Sequence, residues 1–167
     1  MATQKRIFGD SHIFVADAMR ALAAMFQAKG DFPTAEKVLR EALAIRREDT
    51  GPWRHQVAII LSGIGHAQLE QEDFDGAEKS YREAATIDGK EFGPQHQFTA
   101  DHLIYLARLQ VRRGQLAEAH QTMQQALAIY EKTHGSAHPE TIRLRVELAH
   151  LTQQLKAGSA TETRFVK

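Results

Sequence analysis

A step of 42 residues recurs along this chain and constrains its fold more than any single motif. Gly9, Gly51, Gly93 and Gly135 share it, as do Ala35, Ala77 and Ala119, and again Ala42, Ala84 and Ala126. Ile45, Ile87 and Ile129 keep the same spacing. So do Leu22, Ile64, Leu106 and Leu148, each followed by a small residue: Ala23, Gly65, Ala107 and Ala149. Several independent series on one period mean one structural unit, repeated; a single unit cannot bury its apolar face alone, so neighbours must stack.

Within each unit the pattern is helical. Ala35, Val38, Leu39, Ala42 and Leu43 fall three, four, seven and eight apart, which lines one face of a helix. GDFP marks its start, with Asp31 as N-cap and Pro33 in the first turn, and EDFD and GQLA occupy the same slot in the next units. The preceding helix is expected from about Asp10 to Ala28. Each unit is thus two antiparallel helices, with small residues where they approach closely. No strand pattern occurs.

The count is three helix pairs and an unpaired seventh helix from about His138 to Leu155, the kind of terminal element that covers the last pair of a stack. The expected repeats are 9–50, 51–92 and 93–134, with a half repeat at 135–156. The tail AGSATETRFVK (157–167) lacks apolar periodicity and is expected to be disordered.

Composition removes whole classes of function. The 167 residues fit one domain, and 43% of them are apolar. Twenty-one basic and twenty-one acidic residues cancel, so no net field draws the chain to nucleic acid or an anionic membrane. The absence of cysteine excludes disulfides, thiolate catalysis and cysteine-ligated zinc. MATQKRIFGDSH lacks a signal peptide's apolar core, and no run approaches the ~20 apolar residues of a membrane span. The expected location is cytoplasmic.

At these residues the chain resembles a known family. A small residue after leucine, then alanines twelve and nineteen positions later (Ala23, Ala35, Ala42), is similar to the tetratricopeptide repeat. The long period, with EALAIRRE, QALAIYEKTHG and HPET, resembles its kinesin-light-chain type. The resemblance covers about residues 9–156. It implies an all-α fold, a right-handed αα-superhelix of about 3.5 repeats and seven helices. It also implies a concave face lined by the first helix of each pair, where a peptide or protein segment binds.

Other motifs are better read as structure. ALAIYEKTHGSAHPET sets His134 and His138 four apart, with Glu140 behind them. His138 belongs to a series with His12 and His96, and Pro139 behind it marks a helix start; Gly135, Ser136 and Ala137 break any helix that would stack both imidazoles. This is a connector and a cap, not a helical zinc site. SGIGHA lacks the third glycine and the preceding strand of a dinucleotide loop. Ser62, His66 and Asp101 have neither nucleophile elbow nor oxyanion hole. EQEDFD is a solvated helix end. Arg46–Arg47 and Arg112–Arg113 sit near helix C-termini, where cations favour the helix dipole. Trp53 is expected to cover a seam between units. No catalytic residue, cofactor or metal is assigned.

Counted from the small residue, the lining positions implied by the resemblance are Asp17, Arg20, Ala24 and Gln27; Ile59, Ser62, His66 and Leu69; Asp101, Ile104, Arg108 and Val111; and Arg143, Val146, His150 and Gln153. Ile59, Leu69, Ile104, Val111 and Val146 would form an apolar strip, with Arg20, Arg108 and Arg143 beside it. Such a surface suits a peptide with apolar anchors flanked by carboxylates, which arginine forks would orient. His66 and His150 would add to acid binding below pH ~6.5. The asparagine ladder of kinesin light chains is missing, because its positions hold Arg20, Ser62, Ile104 and Val146. The carboxylate-clamp pattern of chaperone-binding domains is also missing.

The resulting expectation is a peptide- or protein-binding module with an adaptor or scaffold role, neither an enzyme nor a binder of nucleic acid or membrane. Two alternatives stand beside it: a scaffold that forms homo-oligomers through its open repeat ends, and the sensor portion of a signalling system.

Overall fold

The computed structural model describes residues 2–48 and 54–165, and the seventh-helix count holds among them: α1 (Ala2–Ala28), α2 (Phe32–Glu48), α3 (Arg54–Glu70), α4 (Phe74–Glu91), α5 (Gln97–Arg112), α6 (Leu116–His134) and α7 (Pro139–Phe165). No strand occurs among the described residues. The helices fall into two compact units, divided between Glu91 and Phe92. No helix among the described residues is long and apolar enough to cross a membrane.

In the first unit α1 packs on α2 and α3 on α4, while α2 also packs on α3 and so joins the two pairs. Its core holds Ala16, Ala23, Ala35, Leu39, Ala42, Ile60 and Ile64, all at most 2% exposed. In the second unit α6 packs on both α5 and α7 around Ala100, Ala107, Ala119, Met123, Ala126 and Leu144. Every repeated alanine except Ala149 on α7 is at 0% exposure, because a side chain this small lets paired backbones approach closely.

One slot shows how a bulkier neighbour is accommodated. Leu39, Tyr81 and Met123 are one period apart and all buried. Where the ring of Tyr81 lies, the seam residue is Gly65 rather than alanine; a Cβ added there would stand 2.7 Å from Tyr81 Cε1. Glycine is required by contact, since Gly65 is an ordinary helical residue.

The helix ends follow the same period. Gly30, Glu72 and Gly114 close the first helix of successive pairs with φ of 79°, 62° and 76°. Glu72 thus occupies a left-handed position that glycine adopts at no steric cost. Asp31 Oδ1 accepts from Thr34 N at 3.2 Å, and Asp73 Oδ1 accepts from Gly76 N at 3.0 Å, so α2 and α4 are capped by aspartates, whereas Gln115 before α6 makes no side-chain cap bond. α5 and α7 are capped by histidine: His96 Nδ1 accepts from Phe98 N at 3.3 Å, and His138 Nδ1 from Glu140 N at 3.2 Å. His134 ends α6 and Pro139 begins α7, so the two histidines of the connector belong to no common helix.

Two expected boundaries are corrected. α1 begins at Ala2 rather than near Asp10, and α7 continues to Phe165 through most of the tail expected to be disordered. Extending an existing helix adds one hydrogen bond per residue fixed, so a stretch without proline can follow without an apolar stripe. Trp53 and Gly51 lie outside the described residues.

Candidate binding face

The first helices carry the implied lining residues, and the structure divides those residues into three groups. In the first unit Arg20 and His66 are exposed, and Ile59 and Ser62 are half-buried. Gln27 is half-buried as well, and its Nε2 donates to the Gly63 carbonyl at 2.9 Å, fastening α1 to α3. The Phe32 ring meets His66 edge-on at 6.0 Å.

Two of the apolar positions are corrected. Leu69 is 7% exposed and Ile104 4%, so both are core residues, Ile104 packing among Ala100, Ala107 and Leu144. Val111 is half-buried against the same cluster. Of the expected strip Val146 alone is exposed, at 65%, while Ile59 is half-buried like Val111.

The charged positions of the second unit are engaged by the chain's own groups. Arg108 donates to Glu147 through Nη2 at 2.8 Å and Nε at 3.3 Å, a forked bond from α5 to α7. Arg143 pairs with Glu140, and its Nε stands 3.7 Å from Glu147. His150 Nε2 lies 3.1 Å from Gln154 Nε2. Asp101 accepts from the Tyr130 hydroxyl. Burial raises the Asp101 pKa above its ordinary 3.8, opposed by that hydrogen bond and by His102. Burial, then the bond to Asp101, also raises the Tyr130 pKa.

Sequence reasoning missed what these acids pair with. Arg46, Asp88 and Tyr130 are one period apart, in the last turns of α2, α4 and α6. Each reaches back to the first helix of its own pair. Arg46 Nη2 donates to Asp17 Oδ1 at 2.8 Å, His55 Nδ1 lies 3.0 Å from both oxygens of Asp88, and Tyr130 donates to Asp101. The signal was available as a series of polar residues four beyond the second repeated alanine, on the buried face. Arg46 is therefore more than a dipole-compensating cation; it is 4% exposed.

Among the described residues no group of three or more histidine, aspartate or glutamate side chains is placed to hold a metal ion. The His134 ring stacks on the Tyr130 ring, and the His138 ring lies tilted against His134, centroids 4.8 Å apart.

Paired helices with small-residue seams, repeated at fixed spacing, define a helical-repeat protein. The sequence profile of the tetratricopeptide repeat matches residues 1–48 and 56–132, more than half of the chain. The chain belongs to the tetratricopeptide repeat family, and its fold is the all-α fold of that family. Among solved structures it is similar to BtubC (BKLC) from P. vanneervenii, with 22% identity and a TM-score of 0.77 over 90% of this chain and 60% of that one. It is also similar to a Podosopora anserina putative kinesin light chain with nearly identical TPR-like repeats, with 23% identity and a TM-score of 0.72 over 82% of this chain and 65% of that one. A third neighbour is the Yersinia enterocolitica type III secretion chaperone SycD in complex with a peptide of the translocator YopD (18% identity, TM-score 0.64, 86% of this chain and 93% of that one). The chain spans less than two thirds of the length of the first two. At these identities the likeness is one of fold. No curated protein matches the sequence.

Proposed function

We propose that this chain is a protein-interaction module that binds a peptide or protein segment on the faces of its first helices, acts as an adaptor or scaffold in the cytoplasm, and performs no chemistry. The observation that carries the reading is the state of the α1–α3 surface. Arg20 and His66 are exposed and Ile59 and Ser62 half-buried, on two helices that Gln27 joins through the Gly63 carbonyl. Supporting it, a structural neighbour is a chaperone described in complex with a peptide. A partner with an apolar anchor beside carboxylates fits this surface, the anchor supplying desolvation energy and Arg20 orientation.

The second unit contributes differently from the sequence expectation. Its arginines already hold Glu147 and Glu140, so a partner carboxylate must displace an internal one. Charge reversal at Arg108 or Arg143 would disturb the α5–α7 contact as well as any partner. A cleaner experiment is affinity capture on two baits, the native chain and an Arg20→Glu, His66→Glu variant, with helicity checked by circular dichroism. A protein retained by the native bait and lost by the variant supports the reading. Equal retention by both moves the binding surface away from α1 and α3.

A further inference from the structure

One helix face in the second unit is apolar, open and in a position that is filled elsewhere in the chain. On α7, Ile142 is 49% and Val146 65% exposed, and Ala149 is exposed too. One period earlier the same positions on α5 are Ala100, Ile104 and Ala107, at 0%, 4% and 0%, with α6 packed on α5. On α3 they are Ala58, Ser62 and Gly65, the last beneath the Tyr81 ring of α4. On α1 they are Ala16, Arg20 and Ala23, of which Arg20 is exposed, so it is the first and third positions, those of Ile142 and Ala149, that are buried in every helix pair. On α7 nothing among the described residues covers them.

The three second helices of those pairs share a sequence signature. Each carries two alanines seven residues apart (Ala35 and Ala42, Ala77 and Ala84, Ala119 and Ala126), all at 0% exposure. Four residues beyond the second alanine stands the polar residue that reaches the first helix. In two pairs its target occupies one repeat position: Arg46 meets Asp17, and Tyr130 meets Asp101. On α7 that position holds Arg143, where α1 and α5 hold aspartate. The complement of Arg143 is a carboxylate.

We propose that the open flank of α7 docks an amphipathic helix of a partner protein, with two alanines seven apart and Asp or Glu four residues after the second. The alanines set the close approach beside Ile142 and Ala149, and the carboxylate pairs with Arg143. Arg143 now holds Glu140 and Glu147 of its own helix, exposed pairs of little net stability, so the exchange costs little. A second copy of this chain is not the occupant. Its three segments of this type hold their alanines fully buried in their own pairs, and only α4 also has the acid, in Asp88. This surface goes beyond the α1–α3 reading and does not depend on it.

The sequence of α4 itself supplies a probe. A fluorescently labelled peptide of residues 72–91 contains Ala77, Ala84 and Asp88 in the required spacing. Titrated against the full chain, it should give saturable anisotropy. Asp88→Arg in the peptide should weaken binding by about tenfold or more, as loss of a charge-assisted hydrogen bond does. Arg143→Glu in the protein should restore affinity for that altered peptide. Ala149→Glu in the protein should abolish binding, whereas a peptide exchanging into the native place of α4 would ignore it. Absence of saturable binding, indifference to Ala149→Glu, or no charge-swap recovery each overturns the proposal. So does a concentration-dependent rise in mass of the chain alone that Ala149→Glu removes, because the occupant is then a second copy.

Discussion

Arg46 and Asp17 join the last turn of α2 to α1 through a 2.8 Å bond, with the Arg46 side chain 2% and the Asp17 side chain 43% exposed. The arginine is the committed partner: its Nε and Nη1 are buried and find no other hydrogen-bond acceptor. Removing the acid leaves a buried cation alone, whereas removing the arginine leaves an aspartate that water already reaches. Breaking a buried pair from one side costs roughly 3–5 kcal/mol, while an apolar replacement of the buried group is often near neutral. Solvent at Asp17 discounts the first figure. Asp17→Ala is therefore expected to destabilise the protein by about 2–3 kcal/mol, and Arg46→Met by clearly less. Urea unfolding of both variants checks the order; equal losses would contradict it.

Glu72 stands with φ of 62° in a series whose other members, Gly30 and Gly114, are glycine. A left-handed backbone costs a residue with a Cβ roughly 1–2 kcal/mol, part of which glycine returns as unfolded-state entropy. Glu72→Gly should stabilise the protein by about 0.5–1 kcal/mol, read as a raised thermal midpoint. A lower midpoint would show that the position is not strained.

The contact between Gly65 and Tyr81 makes a coupled prediction. Gly65→Ala places a methyl group 2.7–3.1 Å from three ring atoms of Tyr81, which is 1% exposed and has no room to withdraw. Overpacking of this kind costs about 1–3 kcal/mol, despite alanine's better helix propensity. The double variant Gly65→Ala, Tyr81→Leu, which copies the Ala23–Leu39 combination, should cost less than the sum of the single changes. Strict additivity in chemical denaturation would remove the steric explanation.

Asp101 and Tyr130 give the protein a pH signature. The Asp101 pKa is raised, chiefly by burial, so its protonated form is favoured in the folded state. Its contribution is fully present below the ordinary value of 3.8 and is lost as pH rises through the higher folded value. Tyr130, also raised, contributes fully below its ordinary 10.0 and loses that contribution in more alkaline solution. Relative to the native chain, Asp101→Asn should gain stability as pH climbs above about 4. Tyr130→Phe should lose the alkaline fall. Unfolding curves from pH 3 to pH 11 for the three proteins read this out, and parallel profiles would refute the assignment.

Much of the fold was legible because the repeat forces the same packing problem on each unit. Ala23, Gly65 and Ala107, the small residues of the repeated pair, identified the seams; His96 and His138 identified helix starts. The candidate face was less legible. Leu69 and Ile104 sit at lining positions in the repeat yet are buried, because a repeat position specifies direction from its own helix and not what the neighbouring helix covers. Arg108 and Arg143 read as open cations because Glu147, on the opposing helix or one turn away, belongs to no repeat series. Helix ends were set too short because apolar periodicity reports packing, and a helix can run past the residues that pack.

The central claim is that a partner lies along the first helices of the first unit. Hydrogen–deuterium exchange of the native chain, with and without a protein captured by the native bait and lost by the Arg20→Glu, His66→Glu variant, tests it most directly. The account predicts slowed exchange in peptides from α1 and α3 that contain Arg20 and His66, with α4 unchanged. Protection confined to α2 and α4 would contradict it.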